Sequence, residues 1–186
     1  MIDLSNFKQL IVDSKKIIQL FIDDILVWRA YKNWVHYSIN ADGSIYNDGI
    51  GYKDGYRVRS GGAEGAAAGA SCTGFIPVKA GDVIRISGCN FGDGTANRSA
   101  LNVSDSSFTN LGQFTMLPAH YGIFATGAAY QAYDYTSVVE ESEGAWKWIV
   151  PPAASGVAYI RVTGNVSALS TMSGSGMIVT INEEII

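Results

Sequence analysis

The chain has 186 residues, 47% hydrophobic and only 16% charged, which excludes a disordered chain and allows one ordinary domain plus an appendage, with a core that needs no disulfide or metal staple. Lys and Arg number 13 against 17 Asp and Glu, for a net charge of −4, so the totals offer none of the basic surface that nucleic-acid binding uses. No run of about 20 apolar residues is present, which excludes a transmembrane helix.

Residues 1–42 contain neither Gly nor Pro, whereas from Gly43 onward Gly recurs every few residues. The sequence therefore divides into an N-terminal arm, 1–34, and a domain proper, 35–186. The arm has two readings. Phe7, Ile11, Ser14, Ile18, Phe21, Ile25 and Trp28 alternate spacings of four and three, a heptad seam broken by Ser14. The favoured reading is a β-hairpin of Lys16–Ile22 and Ile25–Arg29 turning at Asp23-Asp24, because β-branched and aromatic residues dominate and apolar residues would lie on every helical face. A short helix is expected around Ser5 to Asp13, capped by Ser5 or Asn6. Either form exposes more apolar surface than it can bury alone. Ile17, Ile18, Leu20, Phe21, Ile22, Ile25, Leu26 and Trp28 are therefore the candidate anchoring or oligomerisation residues. The run after Lys15 and Lys16 is interrupted by Asp23 and Asp24 and has no small-residue cleavage site after it, so no secretion signal is expected.

Beyond the arm, short strands are expected at Tyr37–Asn40, Tyr56–Arg59, Thr73–Val78, Asp82–Ser87, Ala100–Val103, Tyr121–Ala125, Tyr133–Val138, Ala145–Val150, Gly156–Thr163 and Gly176–Asn182. Turn signals separate them, among them Ala41-Asp42-Gly43, Lys53-Asp54-Gly55 and Ala80-Gly81-Asp82. In Val83–Ser87, Ile84 and Ile86 are expected to face the core and Arg85 outward. In Tyr159–Thr163, Ile160 and Val162 face in and Arg161 out. Gly61–Gly69 (GGAEGAAAG) reads as a mobile low-complexity loop. Strands at this spacing predict an all-β fold, a β-sandwich of jelly-roll type.

Catalytic and metal constellations are weak. His36 and His120 are the only histidines and are far apart. Glu140, Glu141 and Glu143 cluster before Trp146, but neighbouring residues of a strand point to opposite faces. Asp42, Asp48 and Asp54 do not have calcium-loop spacing. Cys72 and Cys89 read as two buried thiols, a single bridge between them staying open. The sequons at Asn97, Asn102 and Asn165 read as chance. No catalytic residue, metal or cofactor is expected. The aromatics are more informative: Tyr121, Tyr130, Tyr133, Tyr135, Trp146 and Trp148 crowd one region. Flat aromatic faces beside polar groups are what contact with an uncharged sugar uses. The competing reading is that these rings fill the sandwich core.

Several segments resemble a module found in phage and prophage virion proteins: SINADGSIYN at 38–47, GYKDGYR at 51–57, GFIPVKAGDVIR at 74–85, AYIRV at 158–162 and MIVTINE at 177–183. The run from Lys16 to Trp28 is similar to a short element at the start of such proteins, with Asp23-Asp24 standing where a Gly-bearing turn is usual. The resemblance covers most of 15–28 and 38–86 and the last 30 residues, and none of roughly 90–145. It implies a non-enzymatic structural protein on the surface of a virion assembled in the bacterial cytoplasm. Other virion proteins would be partners through the arm, the chain would form a homo-oligomer (by analogy a homotrimer), and the jelly roll would contact host-surface glycan. A capsid decoration or head-fibre role is the alternative, and a carbohydrate-active enzyme using the Glu140 cluster is a minor one.

Overall fold

The computed structural model describes residues 7–13, 16–22, 25–29, 31–59, 61–87, 100–115, 139–142, 145–165 and 176–185. The arm is a three-stranded antiparallel sheet of β1 (Phe7–Asp13), β2 (Lys16–Ile22) and β3 (Ile25–Arg29), in that order. Strands β2 and β3 have the bounds the hairpin reading gives, and Ile22 pairs with Ile25 across the Asp23-Asp24 connection. Both helical readings of this region are corrected. The heptad seam is divided among three strands, and the helix expected over Ser5–Asp13 is strand β1 where it is described. The β-branched Ile11 and Val12 favour an extended chain, and pairing with β2 supplies backbone partners that a lone two-turn helix would lack.

The remainder is an all-β sandwich. Its smaller sheet has the order β10 (Val139–Ser142), β11 (Ala145–Ile149), β7 (Val83–Ser87), β13 (Ile178–Ile181). Its larger sheet has the order β4 (Tyr52–Val58), β5 (Glu64–Thr73), β12 (Tyr159–Asn165), β8 (Ala100–Ser104), β9 (Asn110–Thr115), and β6 (Ile76–Pro77) also pairs with β12. The pairing is nested in sequence. Tyr31 bridges Ile185, β5 and β6 pair with β12, β7 pairs with β11, and β8 pairs with β9. A long hairpin rolled so that its two arms alternate between sheets gives this pattern, which is jelly-roll connectivity.

Alternation builds the core. Ile84 and Ile86 of β7, Trp146 and Trp148 of β11, and Val179 and Ile181 of β13 meet Leu101, Val103, Ile160 and Val162 of the larger sheet. Each fully buried aliphatic side chain contributes about 1.5–3 kcal/mol. The arm gives way to the sandwich before residue 34. The Lys32 amide donates to the Glu184 carbonyl at 2.7 Å, and Val35 is fully buried. The Asn33 side chain acts as an extra strand peptide: it donates to the Met177 carbonyl at 2.8 Å and accepts from the Val179 amide at 3.0 Å.

Other expectations are revised. Gly61–Gly69 is largely strand, since β5 runs from Glu64 to Thr73 and pairs with β4 and β12. A Cβ on Gly65 would lie 2.3 Å from the Nε of the Arg59 side chain, so a larger residue there requires that side chain to move. Trp34–Tyr37 is a 3-10 turn rather than the start of a strand. Asp54 lies within β4, beside a register shift at Gly55 (φ 76°), not in a hairpin turn. Among the described residues, no helix is long and apolar enough to cross a membrane.

Candidate functional site: an aromatic groove at the root of the arm

Of the residues singled out from sequence, Ile17, Ile18, Leu20, Phe21 and Ile22 lie on β2, and Ile25, Leu26 and Trp28 on β3. Pairing sets Leu20 opposite Trp28 and Phe21 opposite Leu26. For Trp146 and Trp148 the core-filling reading holds and the glycan-contact one is corrected. Both are 2% exposed in the core, paired opposite Ile86 and Ile84, so neither offers a ring face to a sugar. The reason is register: β11 is flanked by β10 and β7, so its inward parity must fill the space between the sheets. Tyr121, Tyr130, Tyr133 and Tyr135 lie outside the described residues, as do Cys89, His120 and Glu143. His36 is exposed on the 3-10 turn, edge-on to Tyr52, and Glu140 and Glu141 are on β10.

A groove of about 580 Å³ opens at the end of the sandwich where the chain leaves the arm. Trp34, Pro77, Val78 and Ile181 supply its apolar lining, and Lys79, Asp82, Asn182 and Glu184 its polar lining. The polar side is braced from within. The Asp82 carboxylate accepts from the Lys79 amide at 2.9 Å and from the Asn182 side-chain Nδ2 at 2.8 Å, while the Oδ1 of the same Asn182 side chain accepts from the Val83 amide at 2.8 Å. Asn182 and Glu183 both have φ of 51°. This left-handed pair turns the chain sharply after β13, placing Glu183 on Arg85 at 3.1 Å and Glu184 on Lys32 at 3.4 Å.

Trp34 and Tyr37 are the first and last residues of the 3-10 turn. Three residues make one turn of such a helix, so positions three apart eclipse on one face. Their rings stand 6.1 Å apart at 63°, forming two walls of a corner. The Lys32 ammonium sits in that corner, 3.7 Å from the Trp34 ring centroid and 4.9 Å from that of Tyr37. Trp34 and Glu184 belong both to this corner and to the groove.

A second cluster lies on the outer face of the larger sheet. Arg161 points to that face as alternation requires, but it is 5% exposed, which corrects the expectation that it meets solvent. Its guanidinium donates to the Glu64 carboxylate at 2.6 Å, the Thr73 carbonyl at 3.1 Å and the Gly62 carbonyl at 3.4 Å, and lies over Phe75 and Tyr46. The β4–β5 hairpin folds across the sheet here. Asn102 donates to the Arg59 carbonyl, Gln113 to the Val58 carbonyl, and the Val58 amide to the Thr163 hydroxyl. A face that reads as solvated in sequence is thus a buried polar layer with partners for the hairpin's backbone groups. Asn102, fully buried, is no glycosylation acceptor in the folded chain.

Burial alone would raise the Glu64 pKa. Hydrogen bonds from Arg161 and Tyr46 and the charges of Arg161 and Lys53 outweigh it and hold the carboxyl below its usual range. Burial pushes the Cys72 thiol up to about 11 against the pull of Arg161, and burial likewise carries the Tyr46 phenol well above its ordinary value. Tyr46, Cys72, Glu64 and Arg161 form a closed structural network. Next to it Phe108, held at φ 62° by a turn in which Asp105 accepts from Ser107 and Thr109, stacks on Tyr159 at 4.5 Å.

The sequence reading missed the groove. Its one local signal is Asn33 before Trp34 and Tyr37, a capping residue followed by aromatics three apart. The rest of the lining comes from residues 77–82 and 181–184, which only the nested topology brings to the same end. No protein-family model matches the chain, and no curated protein or solved structure shows significant similarity to it.

Proposed function

We propose that the chain is a non-enzymatic structural protein of a bacteriophage particle, displayed on its surface. The arm attaches it to other virion proteins and joins it to copies of itself, and the jelly roll is directed at host-surface carbohydrate. The observation that carries the reading is the arm. Strands alternate their residues between two faces, and apolar residues occupy both parities of Lys16–Ile22 and Ile25–Arg29. Both faces of that sheet therefore carry apolar residues, more than a small sheet can cover by itself, and such surfaces mark interfaces. The resemblance of residues 38–86 and 158–183 to virion modules supports the setting. The groove, with its aromatic and aliphatic lining beside amide and carboxylate groups, supports the recognition role.

The test is deletion of residues 1–30. The truncated chain is expected to stay soluble and folded but to be missing from purified particles, and to lose the self-association of the full chain in a sedimentation measurement. Incorporation of the truncated chain at the full-length level overturns the anchor. Absence of signal for the full chain on a glycan array and on whole host cells removes the carbohydrate part. Copy number per particle separates a tail component, present in a few to tens of copies, from a capsid decoration protein present in hundreds.

A further inference from the structure

We propose that the corner formed by Trp34, Tyr37 and Glu184 is a binding site for a quaternary ammonium group, occupied in this structure by the chain's own Lys32. Two aromatic faces at a steep angle with a carboxylate beside them are the arrangement that recognises organic cations, through attraction to the ring quadrupoles. The occupant shows the chemistry of the site. Lys32 places its ammonium 3.7 Å from one centroid and 4.9 Å from the other, with the Glu184 carboxylate at 3.4 Å. The geometry is built by backbone. The Lys32 amide donates to the Glu184 carbonyl, which sets those two residues side by side, and the 3-10 turn capped by Asn33 sets the rings on one face.

Lys32 is a displaceable occupant. Its side chain is 22% exposed on a flexible stem, and that of Glu184 is 49% exposed, so the pair is of the weak surface kind. A primary ammonium is strongly hydrated and gives up little by returning to water. A trimethylammonium group is weakly hydrated and broad enough to touch both rings at once. The groove runs on from Trp34 and Glu184 and receives whatever the ammonium is attached to. The inference deepens the recognition role proposed above by naming a ligand class for the same groove. It can fail, with choline not binding, while arm-dependent incorporation and glycan binding stand.

The experiment is titration of the full chain with choline chloride at low salt, followed by calorimetry, for the natural sequence and for Lys32→Ala, Tyr37→Ala and Glu184→Gln. Tyr37 is 47% exposed and outside the core, so its truncation leaves the fold intact, which circular dichroism verifies. Lys32→Ala is expected to bind choline about fivefold more tightly than the natural chain, the factor of one exposed cation–π contact. Adding Tyr37→Ala to Lys32→Ala, or Glu184→Gln to it, is expected to weaken binding by a similar factor. Failure of a folded Lys32→Ala protein to bind choline overturns the proposal. Equal binding of 3,3-dimethylbutan-1-ol, the neutral isostere, also overturns it, since the site would then read shape and not charge. Parallel sedimentation with phosphatidylcholine vesicles separates the sources. Retention by vesicles together with choline binding places the group on a lipid, and choline binding without retention places it on a soluble or polymer-borne ligand; both support the site.

Discussion

Arg161→Ala tests whether the β4–β5 hairpin is seated by the buried polar layer. The substitution removes donors to Glu64, Thr73 and Gly62 and the cation lying over Phe75 and Tyr46. Removing one partner of a buried ion pair costs about 3–5 kcal/mol. Here the lower end applies, because the Glu64 side chain is 28% exposed and keeps Lys53 at 3.4 Å. The expected loss is therefore about 3 kcal/mol. With a urea slope of about 2 kcal/mol per molar, the unfolding midpoint falls by about 1.5 M. Arg161→Lys recovers at most about half of this, because a point-like ammonium cannot serve three acceptors as the planar fork does. In a cycle with Glu64→Ala the two residues couple by about 1–2 kcal/mol. Hydrogen exchange at the tip of the hairpin, Arg59 to Ala63, speeds up in the Arg161→Ala protein relative to core amides. A loss under about 1 kcal/mol, or a coupling near zero, would refute the reasoning and mean that the hairpin lies on the sheet without needing its polar layer.

Three further outcomes follow from the same geometry. The folded-state pKa of Glu64 lies below its ordinary value of 4.5, so its contribution is present above that value and is lost as pH falls through the depressed one; an acid titration of stability should show this component in the natural chain and a smaller one in Arg161→Ala, where only Tyr46 and Lys53 still favour the carboxylate. Gly51 (φ +87°) and Gly43 (φ +85°) share a left-handed backbone, but a Cβ on Gly51 would lie 2.2 Å from the Val35 carbonyl oxygen, whereas one on Gly43 meets nothing within 4 Å. Gly43→Ala is expected to cost about 1 kcal/mol and Gly51→Ala upwards of about 3, read by thermal unfolding, and equal costs would contradict the packing around His36. In a Cys89→Ser background, Cys72 is expected to resist alkylation at pH 8 until the protein unfolds, since it is buried with its pKa pushed up to about 11; labelling at the rate of a free thiol in the folded state contradicts that placement.

Alternation carried much of the fold. Ile84, Ile86, Ile160 and Val162 face the core as their period of two requires, and the bounds of β2 and β3 are those of the two apolar runs on either side of Asp23-Asp24. Alternation specifies which face a residue takes, not what covers that face. Hence Arg161 is correctly placed outward yet buried, because a hairpin 97 residues earlier in the chain folds over it. Composition misled at Gly61–Gly69, where Ala and Gly permit close strand packing as readily as they permit a loop. Aromatic crowding left two readings open at Trp146 and Trp148, since large rings are as useful between two sheets as on a surface, and burial decides for the core. The groove combines segments near residues 34, 80 and 182, a conjunction that has no local signature.

The pairing of Tyr31 with Ile185 and of Lys32 with Glu184 has a mechanical consequence. The groove begins at Trp34, only a few residues after the last strand of the arm. In the proposed role, tension between an anchored arm and a ligand held in the groove would enter the sandwich through residues 31–34 and the end of β13. The Asn33 side chain, bonded to both Met177 and Val179, is the rivet in that short path. A tether built this way would load this edge before the core between the sheets.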